Sequence, residues 1–266
     1  MSKLAIHGGP PVRTKLFPGH NFIGEEEKRA AIAVLESGNL SQFIGCWHPD
    51  FYGGPKVQEL ERMWAEFTGA KFAVSVNSNT SGLCAAVGAA GVGPGDEVIV
   101  SPYTMSASAT AIIACNGVPV FADIEPETFC LDPEDVRRRI TPRTKAIMVV
   151  HIFGHPARMD ELLAIAREHN LILIEDAAQA PGAIYNGRKI GGLGHLTIFS
   201  LNYHKHIHTG EGGIVTTNDE ELALRLQLIR NHGESVVGDK GVANLVNTFG
   251  FNLRMTELTE IGRAHV

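Results

Sequence analysis

The sequence predicts an α/β protein with a mostly parallel sheet between helices, and two observations lead to this prediction. Short apolar runs rich in Val, Ile and Ala recur between residues 72 and 217. Several of these runs are separated by stretches with the 3.6-residue periodicity of helices. Strands that are apolar on both faces and alternate with helices are typical of a parallel sheet covered on both sides.

The predicted elements follow in order along the chain. A helix is expected around Glu25–Leu35, and a second, amphipathic helix at Val57–Phe67. The strand candidates are Phe72–Val76, Glu97–Val100, Pro119–Ala122, Ala146–Ile152, Leu171–Ile174, Thr197–Leu201 and Gly213–Thr217, and the helical stretches between them are Ser81–Ala90, Ser106–Cys115, Pro133–Arg139 and Met159–His169.

Composition narrows the functional classes. The chain has 266 residues, 44% hydrophobic and 20% charged, as in soluble globular proteins. A formal net charge of −6 gives no electrostatic basis for binding nucleic acid or an anionic membrane. No signal peptide or membrane-spanning run is recognised. Cys46, Cys84, Cys115 and Cys130 are far apart, which favours reduced thiols over disulfides or zinc. We therefore expect a cytoplasmic protein.

A carboxylate and a lysine follow two successive apolar runs. Asp176 comes directly after the run that begins at Leu171, and Lys205 follows Thr197–Leu201, just before the glycine-rich Gly210–Gly213. Ligands of open parallel sheets bind at the carboxyl ends of the strands, so we expect both side chains at one edge. Pyridoxal 5′-phosphate requires such a pair, because a lysine forms its Schiff base and a carboxylate pairs with its pyridinium nitrogen. The sequence therefore predicts a pyridoxal phosphate site with Lys205 and Asp176 as catalytic residues.

Hydroxyl-bearing residues near two strand ends are suited to the cofactor phosphate. Asn77–Gly82 follows a strand candidate and opens a helix, where backbone N–H groups and the helix dipole favour an anion. An ordinary N-cap by Asn79 or Thr80 explains the same pattern. Ser200 offers another hydroxyl to the phosphate, or simply bonds to backbone at the end of its strand.

Two further residues of the predicted site have structural explanations as well. Asp176 can cap a turn or a helix, but the apolar residues on both sides of it call for a charged partner, such as a protonated ring nitrogen. Gln179 can reach the hydroxyl side of the ring, or remain an ordinary surface residue.

Three alternating histidines, His204, His206 and His208, would share one face of an extended strand. A zinc site needs a third or fourth ligand held by surrounding hydrogen bonds, and no Asp or Glu stands nearby at matching spacing. We therefore expect these histidines to line a pocket, and no metal site.

Ordered motifs over most of the chain, from about Gly8 to Leu258, make it resemble the DegT family of nucleotide-sugar (or cyclitol) aminotransferases. The resemblance implies the large domain of the type I aminotransferase fold of PLP-dependent transferases. The motifs that carry it are Gly93–Val100, Asp132-Pro133, Thr141–Ile147, His151–Gly154, Glu175–Gln179, Lys205 with Gly210–Gly213, and Gly250–Leu258.

The resemblance also implies roles for the matching residues. Lys205 would hold the cofactor, Asp176 would bind the ring nitrogen and Gln179 would touch the ring oxygen. Asn252 would reach the phosphate of the neighbouring subunit, which implies a homodimer with shared sites. The full set of expected cofactor-binding residues is Asn79, Thr80, Ser81, Met105, Asp176, Gln179, Ser200, Lys205 and Asn252.

The chain departs from the family pattern in three ways. Where the family usually shows Gly-Thr, it has Asn79-Thr80. Where an aromatic residue usually stacks on the ring it has Met105, or Tyr103 if the register shifts by two. The smaller C-terminal domain of the family is missing. We expect an N-terminal segment (1–56), a PLP-binding large domain (57–250) and the start of a connection to the missing domain (251–266), with a helix opening in Gly250–Leu258.

These observations predict a pyridoxal-phosphate-dependent aminotransferase. The intact parent would transfer an amino group from glutamate or glutamine to a nucleotide-linked keto-sugar or to a keto-cyclitol. The opening Gly8–Thr14 resembles that of members acting on inosose-like cyclitols or making aminoarenes. Three alternatives stay open: a PLP-dependent sugar dehydratase, which in relatives carries histidine in place of the lysine; a non-catalytic, regulatory PLP-binding relic; and a metal hydrolase using the three histidines.

Overall fold

Seven strands form one central sheet, and a separate hairpin adds two more. The computed structural model describes residues 3–15, 23–233 and 236–259. The strands are β1 (Phe72–Val76), β2 (Glu97–Val100), β3 (Val118–Phe121), β4 (Thr144–Val150), β5 (Ile172–Asp176), β6 (Ile184–Tyr185), β7 (Arg188–Lys189), β8 (Leu196–Ser200) and β9 (Gly213–Thr217). The central sheet has the order β1-β9-β8-β5-β4-β2-β3, while β6 and β7 form the hairpin. Only β9 runs antiparallel to its neighbours, so the predicted mostly parallel sheet is confirmed.

Helices cover both faces of this sheet. They are α1 (Glu25–Ser37), α2 (Pro55–Thr68), α3 (Asn79–Ala89), α4 (Ala107–Ala114), α5 (Pro133–Arg139), α6 (Met159–Glu168) and α7 (Glu220–Arg230). Every expected helix and strand up to β9 is present, with ends displaced by at most two residues. The sequence analysis missed α7 and the hairpin. Helix α7 is buried almost all round, including the side chains of Arg225 and Arg230, so no single apolar face marks it.

Side chains along the strands alternate between two apolar layers. On β2, Val98 and Val100 pack with residues of α3, α4 and α7, whereas Ile99 packs with residues of α5 and α6. All three are fully buried, as expected for a strand that is apolar on both faces. None of the helices in the described ranges combines the length and the apolar character needed to cross a lipid bilayer.

The strand pairing brings Asp176 and Lys205 to the same edge of the sheet. Asp176 ends β5, which lies parallel to β8 with Asp176 opposite Ile198. The chain then leaves β8 after Ser200 and returns antiparallel in β9. The connecting residues 201–212, called here the lysine loop, therefore extend from the carboxyl end of β8, where ligands of such sheets bind.

The last described residues pack back onto the body of the protein. The Asn77 N–H donates to the Leu253 carbonyl at 2.9 Å, and Met255 is only 1% exposed in an apolar cluster beside α2. The helix expected to open in Gly250–Leu258 is not formed there. Residues from 260 onward lie outside the described ranges.

Glu257 caps helix α2 across almost the whole length of the chain. Its carboxylate accepts the backbone N–H groups of Lys56 (2.8 Å) and Val57 (3.4 Å), where the N-cap Gly54 has no side chain to do so. We expect Glu257→Ala to lower the free energy of unfolding by about 1–2 kcal/mol, measured by chemical denaturation. Glu66→Ala on the same helix is the control.

Glu66 forms only an exposed ion pair with Arg62, so its loss should cost less than about 0.5 kcal/mol. Equal losses in the two variants would show that the Glu257 cap contributes nothing beyond a surface charge.

Candidate active site

Asp176 is a buried carboxylate without a cationic partner. The Ser108 hydroxyl donates to Oδ2 at 2.8 Å and the Ala178 N–H donates to Oδ1 at 3.2 Å, while the nearby Asn79 side chain also favours the charged form. Burial raises the pKa of Asp176, while these bonds and nearby His151 act in the opposite direction. None of the ion pairs among the described residues involves Asp176. A cation bound here would offset the cost of burying its charge.

The neighbouring carboxylate, Glu175, is fully used inside the protein. It accepts the Gly194 N–H and the Thr197 hydroxyl, each at 2.7 Å, and lies 2.9 Å from His151 Nε2. The other ring nitrogen of His151 accepts a backbone N–H at 3.1 Å, so Nε2 carries the proton and donates to Glu175. Of the two adjacent carboxylates, Glu175 is held by three bonds within the described chain, whereas Asp176, the last residue of β5, lies at the sheet edge from which the lysine loop extends.

Lys205 lies half-buried in the lysine loop, and its ammonium forms no hydrogen bond or ion pair with another described residue. The loop backbone is held by its own contacts. The Lys205 N–H donates to the Asn202 carbonyl at 2.8 Å, the Asn202 side chain binds His204, and the Tyr203 N–H donates to Gly210 at 2.9 Å. The loop therefore presents an amine that the rest of the described chain leaves unused.

Gly213, where the lysine loop enters β9, lies against the start of α3. A Cβ atom at this position would be 2.5 Å from the Ser78 carbonyl oxygen and 2.7 Å from the Asn79 nitrogen, both backbone atoms that cannot move aside. Only glycine allows this approach. It brings the end of the lysine loop next to the segment predicted to bind phosphate.

The N-cap of α3 is Ser78, and neither Asn79 nor Thr80 fills that position. The Ser78 hydroxyl accepts the Ser81 N–H at 3.1 Å, and the Ser81 hydroxyl donates to the Asn77 side chain at 2.6 Å. Asn79 and Thr80 are thus the first helical residues, and their N–H groups form no bond within the described chain. Those two donors are suited to an anion, whereas the Ser81 hydroxyl is already engaged.

The side chain of Asn79 joins the start of α3 to Asp176. Its amide NH₂ is the only group on the side chain that can donate to the carboxylate, so its carbonyl Oδ1 is left for another donor. That oxygen is buried and has no partner in the described chain. A buried acceptor without a donor is costly, which makes this position ready for a bound group.

Three other predicted site residues are bonded within the protein: Gln179 after β5, Ser200 at the end of β8, and Asn252 in the last described segment. The Gln179 side-chain oxygen accepts the Phe153 N–H at 2.6 Å, and the buried Ser200 hydroxyl accepts the Asn202 N–H at 3.3 Å. Asn252 is exposed, and its side-chain oxygen accepts from the guanidinium two residues later. The roles of these three residues toward a cofactor stay predictions.

Three exposed aromatic rings, Tyr103, Phe129 and Phe153, form what we call the aromatic cluster. Tyr103 stacks on Phe129 at 5.4 Å between centroids and meets Phe153 edge-on at 6.3 Å. Met105, in the same segment, is 74% exposed. Tyr103 is therefore engaged by other rings, and Met105 is the one of the two candidates left available for stacking on a ligand.

The histidine-rich lysine loop does not assemble a metal site in the described ranges, where no group of three or more His, Cys, Asp or Glu side chains is placed to hold an ion. Ser108, which donates to Asp176, was not predicted from the sequence. The only sequence signal for it is a hydroxyl in a mostly apolar helix that also contains Thr110.

Comparison with known proteins shows the family. A family model described as the DegT/DnrJ/EryC1/StrS aminotransferase family matches residues 23–265. GDP-perosamine synthase of Caulobacter vibrioides is 45% identical over 205 residues, covering 77% of this chain and 54% of that protein. L-glutamine:2-deoxy-scyllo-inosose aminotransferase of Streptomyces lividus is 42% identical over 250 residues, covering 92% of this chain and 58% of that protein.

Solved structures show the same likeness. The structure of NtdA from Bacillus subtilis with bound cofactor PMP superimposes with a TM-score of 0.76 at 32% identity, covering 89% of this chain and 51% of that one. The chain thus spans little more than half the length of each of these three proteins.

Proposed function

The chain belongs to the DegT/DnrJ/EryC1/StrS aminotransferase family, and from this premise we propose that it forms the cofactor-binding part of an aminotransferase acting on a keto-sugar or keto-cyclitol. The observation that carries the proposal is the buried Asp176 carboxylate, which has no cationic partner and stands at the same sheet edge as the unpaired Lys205 amine. Glutamate or glutamine would supply the nitrogen.

The cofactor of the family is pyridoxal 5′-phosphate, which, when bound, supplies an electron sink for the removal of a proton from the carbon next to nitrogen. The residues present fit this group. Within the described chain, the buried Asn79 Oδ1 has no partner and can accept from a donor on the cofactor. The N–H groups of Asn79 and Thr80 form no bond there and can hold an anion, while the ionisable Asp176 can hold a cation.

Each side chain then has a distinct part. Asp176 would keep the ring nitrogen protonated, and Gln179 would meet the ring oxygen. The phosphate would be held at the start of α3 by Thr80 and Ser81, with Ser200 from the end of β8. Met105 would cover one face of the ring.

Lys205 would both anchor the cofactor and move the proton. Once the donor amine takes its place, the freed Lys205 amine would remove a proton from the donor carbon as a base and return it as an acid. The absence of an ion pair at its ammonium, within the described chain, supports this part, because no other described side chain holds the amine away from the cofactor.

Two relatives support the acceptor class. One is named for a GDP-linked amino sugar and the other for transfer from glutamine to an inosose. The test is to load the protein with pyridoxal phosphate and supply glutamate or glutamine with a panel of nucleotide-linked keto-sugars and inososes, detecting the aminated product by mass spectrometry. Elimination of water without amination would indicate a dehydratase, and cofactor binding without turnover a non-catalytic relic.

We also propose a homodimer in the cytoplasm. The exposed rings of the aromatic cluster, with Phe153 68% exposed, offer apolar surface beside the site that a second copy would cover, and Asn252 is exposed and able to reach such a partner. The four cysteines are all free, which suits a reducing compartment. Sedimentation equilibrium should give twice the chain mass; a monomer mass would contradict the dimer.

A further inference from the structure

We propose that Ser108 is a positioning residue, which holds the Asp176 carboxylate in the orientation that the cofactor ring requires. Ser108 is fully buried on α4, and its hydroxyl lies 2.8 Å from Asp176 Oδ2. The Thr104 hydroxyl lies 3.2 Å from the Ser108 hydroxyl in turn. These three groups form what we call the Thr104 relay.

The direction of the Thr104 relay follows from counting protons. An ionised carboxylate has no proton to give, so the single hydroxyl proton of Ser108 must point at Asp176. Ser108 therefore accepts from Thr104, and the Thr104 hydroxyl donates. Hydroxyls aligned in one sense polarise each other, which strengthens the final bond to the carboxylate.

The acceptor capacity of Asp176 leaves room for a ligand. A carboxylate offers about four acceptor positions. The Ser108 hydroxyl on α4 takes one position on Oδ2 at 2.8 Å, and the Ala178 N–H takes one on Oδ1 at 3.2 Å. Each oxygen is thus oriented by one bond, and acceptor capacity remains for a ring N–H⁺.

The Thr104 relay also ties two sides of the site together. Thr104 directly precedes Met105, the residue expected to cover the ring, so one short segment would set both the stacking side chain and the carboxylate. In the described chain His151 is the titratable side chain that acts on Asp176, and its ring is held by Glu175 and by the Ala157 N–H. Ser108 can play this part only if Asp176 faces the cofactor ring, as in the proposed function.

The test compares Ser108→Ala with Thr104→Val and with Ser106→Ala, a control on an exposed serine that makes no capping bond. Titration with pyridoxal phosphate, followed by absorbance, should show about tenfold weaker binding for Ser108→Ala and about twofold for Thr104→Val. Ser106→Ala should bind as the unchanged protein does.

A second readout needs no cofactor. Ser108 is the hydrogen bond that most opposes the raised pKa of Asp176, so Ser108→Ala should raise that pKa further. The pH at which the cofactor-free protein loses thermal stability on ionising Asp176 should therefore move upward. In an Asp176→Asn background, Ser108→Ala should leave the pH profile unchanged.

Unchanged cofactor affinity together with an unchanged pH profile in Ser108→Ala would overturn the proposal. An equal loss of cofactor affinity when Ser108→Ala is made in the Asp176→Asn background would also overturn it, because it would assign Ser108 to packing alone. If the alanine variant does not fold, Ser108→Cys takes its place, because it nearly keeps the volume but has a weaker donor. An upward shift of its pH profile would support the proposal, and an unchanged profile would overturn it. Failure of the unchanged protein to bind pyridoxal phosphate would refute the proposed function instead, while the cofactor-free pH profile would still report on Ser108.

Discussion

Lys205→Ala is expected to abolish amino transfer and the visible absorption of the bound cofactor while the protein stays folded. The lysine is the covalent anchor of the proposed site, and its ammonium makes no contact within the described chain whose loss would cost stability. Reduction of the cofactor-loaded protein with borohydride, followed by peptide mapping, should place the label on Lys205.

Two other lysines provide the contrast. The Lys189 ammonium lies 3.9 Å from the centre of the Phe67 ring, and that of Lys240 lies 3.7 Å from the centre of the Trp47 ring. Both are therefore engaged in cation–π contacts. Lys189→Ala, the matched control, should keep labelling and turnover. A label on Lys189 or Lys240 in the unchanged protein would refute the assignment of Lys205.

Asp176→Asn should slow amino transfer by about a hundredfold, equivalent to roughly 3 kcal/mol of transition-state stabilisation. A neutral amide cannot keep the ring nitrogen protonated, so the electron sink weakens although the cofactor remains bound. Steady-state rates with saturating cofactor measure this. Near-normal turnover would place the essential carboxylate elsewhere, with Glu175 next in line despite its three internal bonds.

In the cofactor-free protein, Asp176→Asn should raise the thermal stability. Burial raises the pKa of Asp176 above its unfolded value, so the folded state binds this proton more tightly than the unfolded chain. Its contribution to stability is full below the unfolded pKa and is lost as the pH rises through the folded pKa. Asp176→Asn removes that loss, so its melting temperature without cofactor should exceed that of the unchanged protein at neutral pH. A lower melting temperature would show that the charged form is not disfavoured.

The sequence predicted the parts of the fold that local patterns determine. Strands β1 to β5, β8 and β9 are mostly apolar, Asp176 ends β5 and Lys205 follows β8, so their common edge comes from topology alone. Ser108 escaped prediction because its bond to Asp176 joins residues 68 positions apart, through tertiary packing of α4 on the sheet. The sequence predicted Asn79 as an N-cap or a cofactor-binding residue, but its closeness to Asp176 is again a matter of tertiary packing.

The return of residues 253–257 to the N-terminal half has a consequence for the order of folding during synthesis. Leu253 bonds to Asn77 beside the start of α3, and Glu257 caps α2 from 201 residues away. Contacts of such separation form slowly, because a long loop must close first. While the chain is still emerging from the ribosome, α2 lacks its cap and the Asn77 N–H lacks its acceptor. The bond at the start of α3 can therefore form only after residue 253 has been synthesised, and the cap of α2 only after residue 257.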